Sequence, residues 1–140
     1  MLARFLRETA ADVVMPAGRY TLLDRSALDD ALAAAVVTGK GIVAVGVFNS
    51  GLPAHDRPTG GCHTTTRTPS RAGRQGEAIA GISRRHGTSL SAAAIAFPFA
   101  HPAVVNVTLG MADPEQVTRN VRLHRQPVPR NSGAIYATEG

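Results

Sequence analysis

The sequence predicts an α/β domain with about three parallel strands and flanking helices. Two runs of β-branched and other apolar residues, 42–47 and 104–109, have the length and composition of buried strands. Segments with apolar residues at helical spacing precede them. A strand, a helix and a second strand in that order form a right-handed βαβ unit, so the strands should lie parallel in one sheet.

The first half of the chain predicts two helices and two strands. Residues 2–9 are typical of the end of an amphipathic helix, and residues 12–15 form a short apolar strand that Pro16 stops. Ser26 can cap a helix that continues to about Thr38, because Leu28, Leu32, Ala35 and Val36 share one face. Glycines at 39 and 41 end this helix before the strand 42–47.

The second half predicts a weak helix over about 75–86, a helix from Ser89 or Ser91 to Phe97, the strand 104–109 and a last helix from Pro114 to about Leu123. Asp113 can cap the last helix, with proline at its first position and Gln116 three residues after the cap. A helix N-terminus beside the end of a parallel strand favours anions such as nucleotide phosphates. An ordinary strand–helix junction has the same pattern and stays open as the alternative.

Length and composition indicate a water-soluble domain. The chain has 140 residues, 44% of them hydrophobic and 18% charged, with no apolar run long enough to span a bilayer. The N-terminal residues lack the apolar core of a signal peptide. A single cysteine, Cys62, excludes an internal disulfide, so we expect a cytoplasmic protein. No residue pattern indicates a metal site.

Four blocks of sequence resemble the aldo/keto reductases, in the branch that contains the L-fucose and D-threo-aldose 1-dehydrogenases. They occur in the family's order: Ala17–Asp24 (AGRYTLLD), Phe48–Leu52 (FNSGL), Ala92–Val104 (AAAIAFPFAHPAV) and Gly110–Asn120 (GMADPEQVTRN). The last block is similar to the last barrel strand's cofactor loop, Gly-Ala-Arg-Ser/Thr-Pro-Glu-Gln-x-x-x-Asn. The blocks are spread from residue 17 to residue 120, so the resemblance extends over most of the chain, with one gap between the second block and the third.

The resemblance implies that residues 1–140 are the C-terminal part of a (β/α)8 TIM barrel, an incomplete barrel that begins near the sixth strand. Such barrels typically need about 250 residues. The family's catalytic Asp, Tyr, Lys and His belong to the N-terminal half. No block here matches their motifs, so we assign no catalytic residue, and Tyr20 and the five histidines are not substitutes. By itself the chain is expected to be inactive.

The resemblance also implies part of a nicotinamide cofactor site. After the seventh strand, small residues let the backbone approach the pyrophosphate and Ser50 can donate a hydrogen bond. Near the adenosine, Gln116 and Asn120 lie four apart on one helix face and could hold an adenine edge. The predicted cofactor-binding residues are Gly46, Phe48, Ser50, Gly51, Gly110, Met111, Gln116 and Asn120.

Two departures from the family pattern favour NAD over NADP. Ala112 stands where the family commonly has the Arg that meets the ribose 2′-phosphate, and Asp113 stands where it has Ser or Thr. An acidic residue beside that phosphate is unfavourable, whereas a ribose hydroxyl is tolerated.

Residues 56–74 predict a disordered basic loop. Between residues 56 and 86 there are six arginines against two acidic residues, and the family's Tyr-, Asp-, Ala- and Pro-rich tract is not recognisable. Three interpretations stay open: a solvated loop without a specific role, a contact for nucleic acid or phosphate, and a compensated frameshift. Because the loop lacks interleaved aromatic residues, nucleic acid is the weaker of these partners.

By resemblance the function is an NAD(P)-dependent oxidoreductase that transfers hydride at an aldose or related carbonyl, here as a truncated copy with a cofactor half-site. The alternatives are a non-enzymatic half-barrel subunit, a decayed remnant and a basic protein that contacts nucleic acid. Three strands of a barrel leave two open edges. The expected partners therefore include an N-terminal half-barrel or a second copy, besides the cofactor and substrate, and no membrane.

Overall fold

The computed structural model describes residues 1–26, 28–48 and 69–129. The predicted order of helices and strands is confirmed there. The elements are α1 (Leu2–Glu8), β1 (Val13–Val14), a π-helical turn (Leu28–Leu32) continuing as α2 (Ala33–Thr38), β2 (Gly41–Val45), α3 (Pro69–Arg85), α4 (Leu90–Ala96), a 3₁₀ turn (Phe97–Ala100), β3 (Val104–Thr108) and α5 (Pro114–His124).

The three strands form one parallel sheet in the order β1-β2-β3. Val14 pairs with Ile42, which pairs in turn with Val104. The register shifts between Ile42 and Val43, because Val105 is an extra residue in β3. Among the described residues the predicted α/β class, with three parallel strands and flanking helices, is confirmed, and the sheet is open; the TIM barrel stays a prediction.

The two faces of the sheet differ in burial. Val14, Ile42 and Val104 point to the helices and are buried. The opposite face, which we call the open face, carries Val13, Met15, Gly41, Val43, Val45, Val105, Asn106 and Thr108. Its side chains are half-buried or exposed, and Val105 retains 59% of its accessible surface.

The hydrophobic core lies between the sheet and the helices. Its largest fully buried apolar side chains are Leu6, Leu22, Leu32, Ile42, Val47, Ile79 and Ile82. Small residues fill the centre of α4, where three consecutive alanines from Ala92 are completely buried. Within the described ranges, no helix combines the length and the apolar content that a bilayer crossing needs.

Two helices differ from the prediction. α3 begins at Pro69 instead of about Gln75, so the last six residues of the predicted loop 56–74 are helical. The helix formers Arg and Ala and the proline at the first position account for the earlier start. The remainder of that loop lies outside the described residues, as does Cys62.

The second difference concerns the face of α2. Ala34 and Ala35 are buried, whereas Val36, predicted to face the core, is exposed. Successive residues of an α-helix are about 100° apart, so Val36 lies more than a quarter-turn from Ala35, at the margin of the buried face.

Candidate functional site

The carboxyl ends of the three strands bring three loops side by side. Val45, the last residue of β2, pairs with Thr108, the last residue of β3. On its other side, the carbonyl of Val45 accepts a hydrogen bond of 2.9 Å from the backbone N of Gly18. Ligands of parallel α/β sheets bind at this end of the strands. The predicted cofactor residues Gly46, Phe48, Gly110 and Met111 all follow strands there.

The loops after β1 and β2 touch through their backbones. Gly46 has a φ of +70°, and a Cβ at this position would lie 3.3 Å from the backbone N of Gly18. Gly18 is itself in the left-handed region, at +63°. The two glycines therefore permit a close approach of the chains that a side chain at position 46 would obstruct.

The second predicted loop is described only in part. Phe48 is half-buried and packs against the hydrophobic core, so its side chain helps to fix the loop. Gly46 is exposed beside it. Ser50 and Gly51 lie outside the described residues, and their predicted cofactor contacts remain predictions.

The third loop joins β3 to α5 and is open to solvent. Gly110 and Met111 are both exposed. Asp113 is the N-cap of α5: its Oδ1 accepts a hydrogen bond of 2.7 Å from the backbone N of Gln116. Its Oδ2 accepts a second one, of 2.8 Å, from the Gln116 side-chain Nε2.

The predicted anion site at the start of α5 is thus already occupied by a carboxylate. Pro114 has no N–H to offer, and the backbone N of Val117 bonds to the Asp113 carbonyl. A phosphate placed there would meet the negative charge of Asp113. Between the two interpretations of this junction, the geometry favours a capped helix over a phosphate cradle.

The two amide side chains of α5 have different surroundings. The Gln116 Oε1 accepts a hydrogen bond of 3.0 Å from the backbone N of Ala112, so both ends of its amide bond to the preceding loop. Asn120 is 7% exposed and is the buried residue of α5, which packs against α4. To contact an adenine edge, the Gln116 side chain has to break its hydrogen bonds to the loop and form new ones to the base.

Sequence reasoning missed two polar side chains near these loops. Asn106 and Thr108 are exposed on the open face at the carboxyl end of β3, and the Thr108 hydroxyl donates to the Asn106 Oδ1 at 3.3 Å. Their signal is visible in the sequence, because asparagine is depleted in strands and the two alternate with valine. They face the space beside the candidate loops.

A cleft of about 520 Å³ lies at the end of β1. Met15, Arg19, Ser26 and Asp30 line it together with the start of α1. Arginine, serine and aspartate offer donors and acceptors for a polar ligand. Among the described residues, no cluster of three or more metal-binding side chains is present.

Tyr20, in the loop after β1, packs against His101 and Phe97. The tyrosine is 5% exposed, with ring centroids 5.2 Å from Phe97 and 6.0 Å from His101. Burial raises the pKa of the Tyr20 phenol, and the nearby guanidinium of Arg25 offsets part of this shift. Burial lowers the pKa of the His101 imidazole, whose Nδ1 accepts a 3.2 Å hydrogen bond from the Ala103 backbone N. Both rings therefore contribute to the packing of the fold.

Two curated dehydrogenases match this chain. A D-threo-aldose 1-dehydrogenase of Pseudomonas sp. is 39% identical over 137 residues, which are 97% of this chain and 42% of that protein. A pyridoxal 4-dehydrogenase of Microbacterium luteolum is 35% identical over 141 residues, or 96% of this chain and 40% of that protein. The chain therefore spans about two-fifths of the length of these relatives. No protein-family model matches it.

Proposed function

We propose that the chain supplies the last three strand–helix units of a (β/α)8 barrel dehydrogenase of the aldo/keto reductase family. The observation that carries this proposal is the agreement between strand count and length. Three strands of eight are about 38% of a barrel. The chain spans 40–42% of the two dehydrogenases, and the described part of it forms one sheet of three parallel strands.

The role of the chain in this proposal is to hold a nicotinamide cofactor at the carboxyl ends of its strands. The backbone at Gly46 and Gly110 approaches the cofactor, with Met111 beside it, while Gln116 and Asn120 bind the adenine. Ser50 and Gly51 contact the pyrophosphate. The adjacent loops and the open site after β3 support this arrangement.

The cofactor in this proposal is NAD. The Asp113 carboxylate lies at the start of α5, and Ala112 offers no cation for a 2′-phosphate. A ribose 2′-hydroxyl can instead donate a hydrogen bond to a carboxylate.

The substrate class follows the names of the relatives, an aldose for one and pyridoxal for the other. Both are carbonyl compounds or their hydrates and hemiacetals, so the shared reaction is hydride transfer between the substrate carbon and nicotinamide. When bound, the nicotinamide supplies the hydride acceptor. The proton-transfer groups come from the part of the barrel that this chain does not match.

A chimera tests the function. The portion of the Pseudomonas relative outside the matched region is joined to this chain. The NAD-dependent oxidation of a D-threo-aldose by this chimera is then measured as the rate of NADH formation. We expect turnover, and Gln116→Ala should raise the KM for NAD about five-fold, since one neutral hydrogen bond is worth about 1 kcal/mol.

Gln126→Ala is the matched control, because Gln126 is an exposed amide just past the end of α5. It should leave the KM unchanged. A folded chimera without dehydrogenase activity on either relative's substrate would contradict the proposed function.

A further inference from the structure

The open face changes from apolar to polar where β3 ends. Asn106 and Thr108 are both exposed on this face. Apart from Gly41, the remainder of the described face consists of four valines and a methionine. Asparagine is depleted in strands, so strand propensity does not account for its presence among valines. A residue that departs from the local pattern in this way is a candidate for a functional role.

This polar pair lies beside two of the candidate loops. Thr108 is the last residue of β3 and pairs with Val45, which directly precedes Gly46. Asn106 pairs with Val43 and lies about 7 Å further from the loops, at about 3.3 Å per residue. Ligands of parallel α/β sheets bind at the carboxyl ends of the strands. A ligand group that extends from the loops onto the open face therefore meets these two side chains first.

The hydrogen bond between the two side chains determines what they offer to a ligand. The Thr108 hydroxyl donates to the Asn106 Oδ1 at 3.3 Å, which engages the amide oxygen and orients the amide group. Within the described ranges, the Asn106 Nδ2 makes no hydrogen bond. An amide nitrogen carries two N–H donors. The pair therefore presents donors to an acceptor atom of a ligand.

Charge limits the kind of acceptor that fits this pair. Neither side chain carries a formal charge, and the described residues of the open face include no lysine or arginine. Phosphate groups are typically bound by arginine, lysine or the N-terminus of a helix. A neutral amide donor is suited instead to the oxygen of a carbonyl, carboxamide or hydroxyl group.

We infer that Asn106, oriented by Thr108, donates a hydrogen bond to an uncharged oxygen of the ligand bound at the carboxyl ends of the strands. Two such oxygens are available, one in the nicotinamide riboside half of the cofactor and one in a hydroxyl of the aldose. The inference rests on the proposed function, which supplies both ligands. It adds a side chain of β3 to a site otherwise assigned to loops and α5.

The test uses Asn106→Val in the chimera, because valine favours strands and the variant should fold. Calorimetry measures the dissociation constants of NADH, of ADP and of the D-threo-aldose, and initial rates give the KM for the aldose. The value for NADH or for the aldose should rise about five-fold, as expected for one lost neutral hydrogen bond. A rise for NADH assigns the oxygen to the cofactor, and a rise for the aldose alone assigns it to the substrate.

ADP separates this inference from a phosphate contact, since it contains the adenosine and pyrophosphate without the nicotinamide riboside. Its dissociation constant should stay unchanged in Asn106→Val. Thr108→Val should shift the same ligand as Asn106→Val, by about two-fold, because it removes the bond that orients the amide. Thr38→Val is the matched control: it removes a hydroxyl at the end of α2, before the start of β2. It should leave all these constants unchanged.

Urea unfolding distinguishes ligand binding from a purely structural role. The midpoint of Asn106→Val should be no lower than that of the unsubstituted chimera. A lower midpoint with unchanged ligand constants, or an equal loss of affinity for ADP and NADH, would overturn the inference. Normal turnover with unchanged constants would overturn it and uphold the proposed function. Conversely, a chimera without turnover whose ligand affinity still depends on Asn106 would uphold the inference and contradict the proposed function.

Discussion

The Asp113 carboxylate accepts two hydrogen bonds from Gln116, one from its backbone N at 2.7 Å and one from its side-chain Nε2 at 2.8 Å. This pair fixes the start of α5 and places a negative charge in the loop after β3. In the proposed function, the same carboxylate opposes a 2′-phosphate, so Asp113 connects the stability of the last helix with the choice of cofactor.

Asp113→Ala is expected to lower the free energy of unfolding by about 1 kcal/mol, because it removes the N-cap of α5. Urea unfolding monitored by circular dichroism measures the change. Glu115→Ala is the control, since Glu115 is an acidic residue in the same first turn. If the two variants were equally destabilised, charge near the helix terminus would account for the effect, and the capping bond would not.

Asp113→Ser is expected to preserve the cap and change the cofactor preference. Serine is also a good N-cap, and it removes the charge that opposes a 2′-phosphate. In the chimera, the affinity for NADPH should rise about five-fold relative to NADH, the scale of about 1 kcal/mol for an exposed charge pair. An unchanged ratio of the two dissociation constants would contradict the assignment of Asp113 to cofactor choice.

Lys40→Met is expected to destabilise the chain by about 2 kcal/mol, within the range for hydrogen bonds of charged groups. Lys40 is the chain's single lysine, and its Nζ donates to the carbonyls of Leu6 and Thr9 at 2.6 Å each. These bonds hold the end of α1 against the loop before β2. Arg7→Met is the control, because Arg7 is an exposed cation in the last turn of α1. Its replacement should lower the thermal unfolding midpoint less than Lys40→Met does.

Gly46→Ala is expected to lower the free energy of unfolding more than Gly39→Ala does. Both glycines have a left-handed φ, which costs an L-residue about 1–2 kcal/mol. A Cβ at Gly46 also meets the Gly18 backbone at 3.3 Å, whereas one at Gly39 meets nothing within 4 Å. The difference between the two free energies of unfolding measures the close approach of the loops, and equal values would show that no such contact forms.

Stability is expected to fall in mild acid because of His101. Burial depresses its folded pKa below the unfolded value of 6.5, so the unfolded chain takes up the proton first as the pH falls. The contribution of His101 to the free energy of unfolding is fully present above pH 6.5 and is lost as the pH falls through the folded pKa. Thermal unfolding between about pH 7.5 and about pH 5 tests this. The loss should be smaller in His101→Gln and unchanged in His86→Gln, a variant of an exposed histidine.

Local chemistry predicted most of the elements. The valines of β3 and the Asp113-Pro114 start of α5 act within one turn or one strand, so the sequence alone identifies them. The exposure of Val36 could not be predicted in this way. It depends on which face of α2 packs against its neighbours, and the continuous apolar run 33–37 is compatible with more than one such face.

The site was less accessible to sequence reasoning than the fold. The apolar residues of β2 predicted a strand buried on both faces, yet Val43 and Val45 are only half-buried, because burial of the second face depends on what packs there. Gln116 has the residue type of an adenine ligand, but its rotamer directs the amide to Asp113 and Ala112. Side-chain direction of this kind follows from the folded loop.

The central claim, that this chain carries the cofactor part of a dehydrogenase, is tested most directly by calorimetric titration of the chimera with NADH and then with NADPH. We predict saturable binding of NADH, weaker binding of NADPH, and a lower NADH affinity in Gln116→Ala but not in Gln126→Ala. A folded chimera that binds neither cofactor, or that binds NADH equally well in both variants, would contradict the claim.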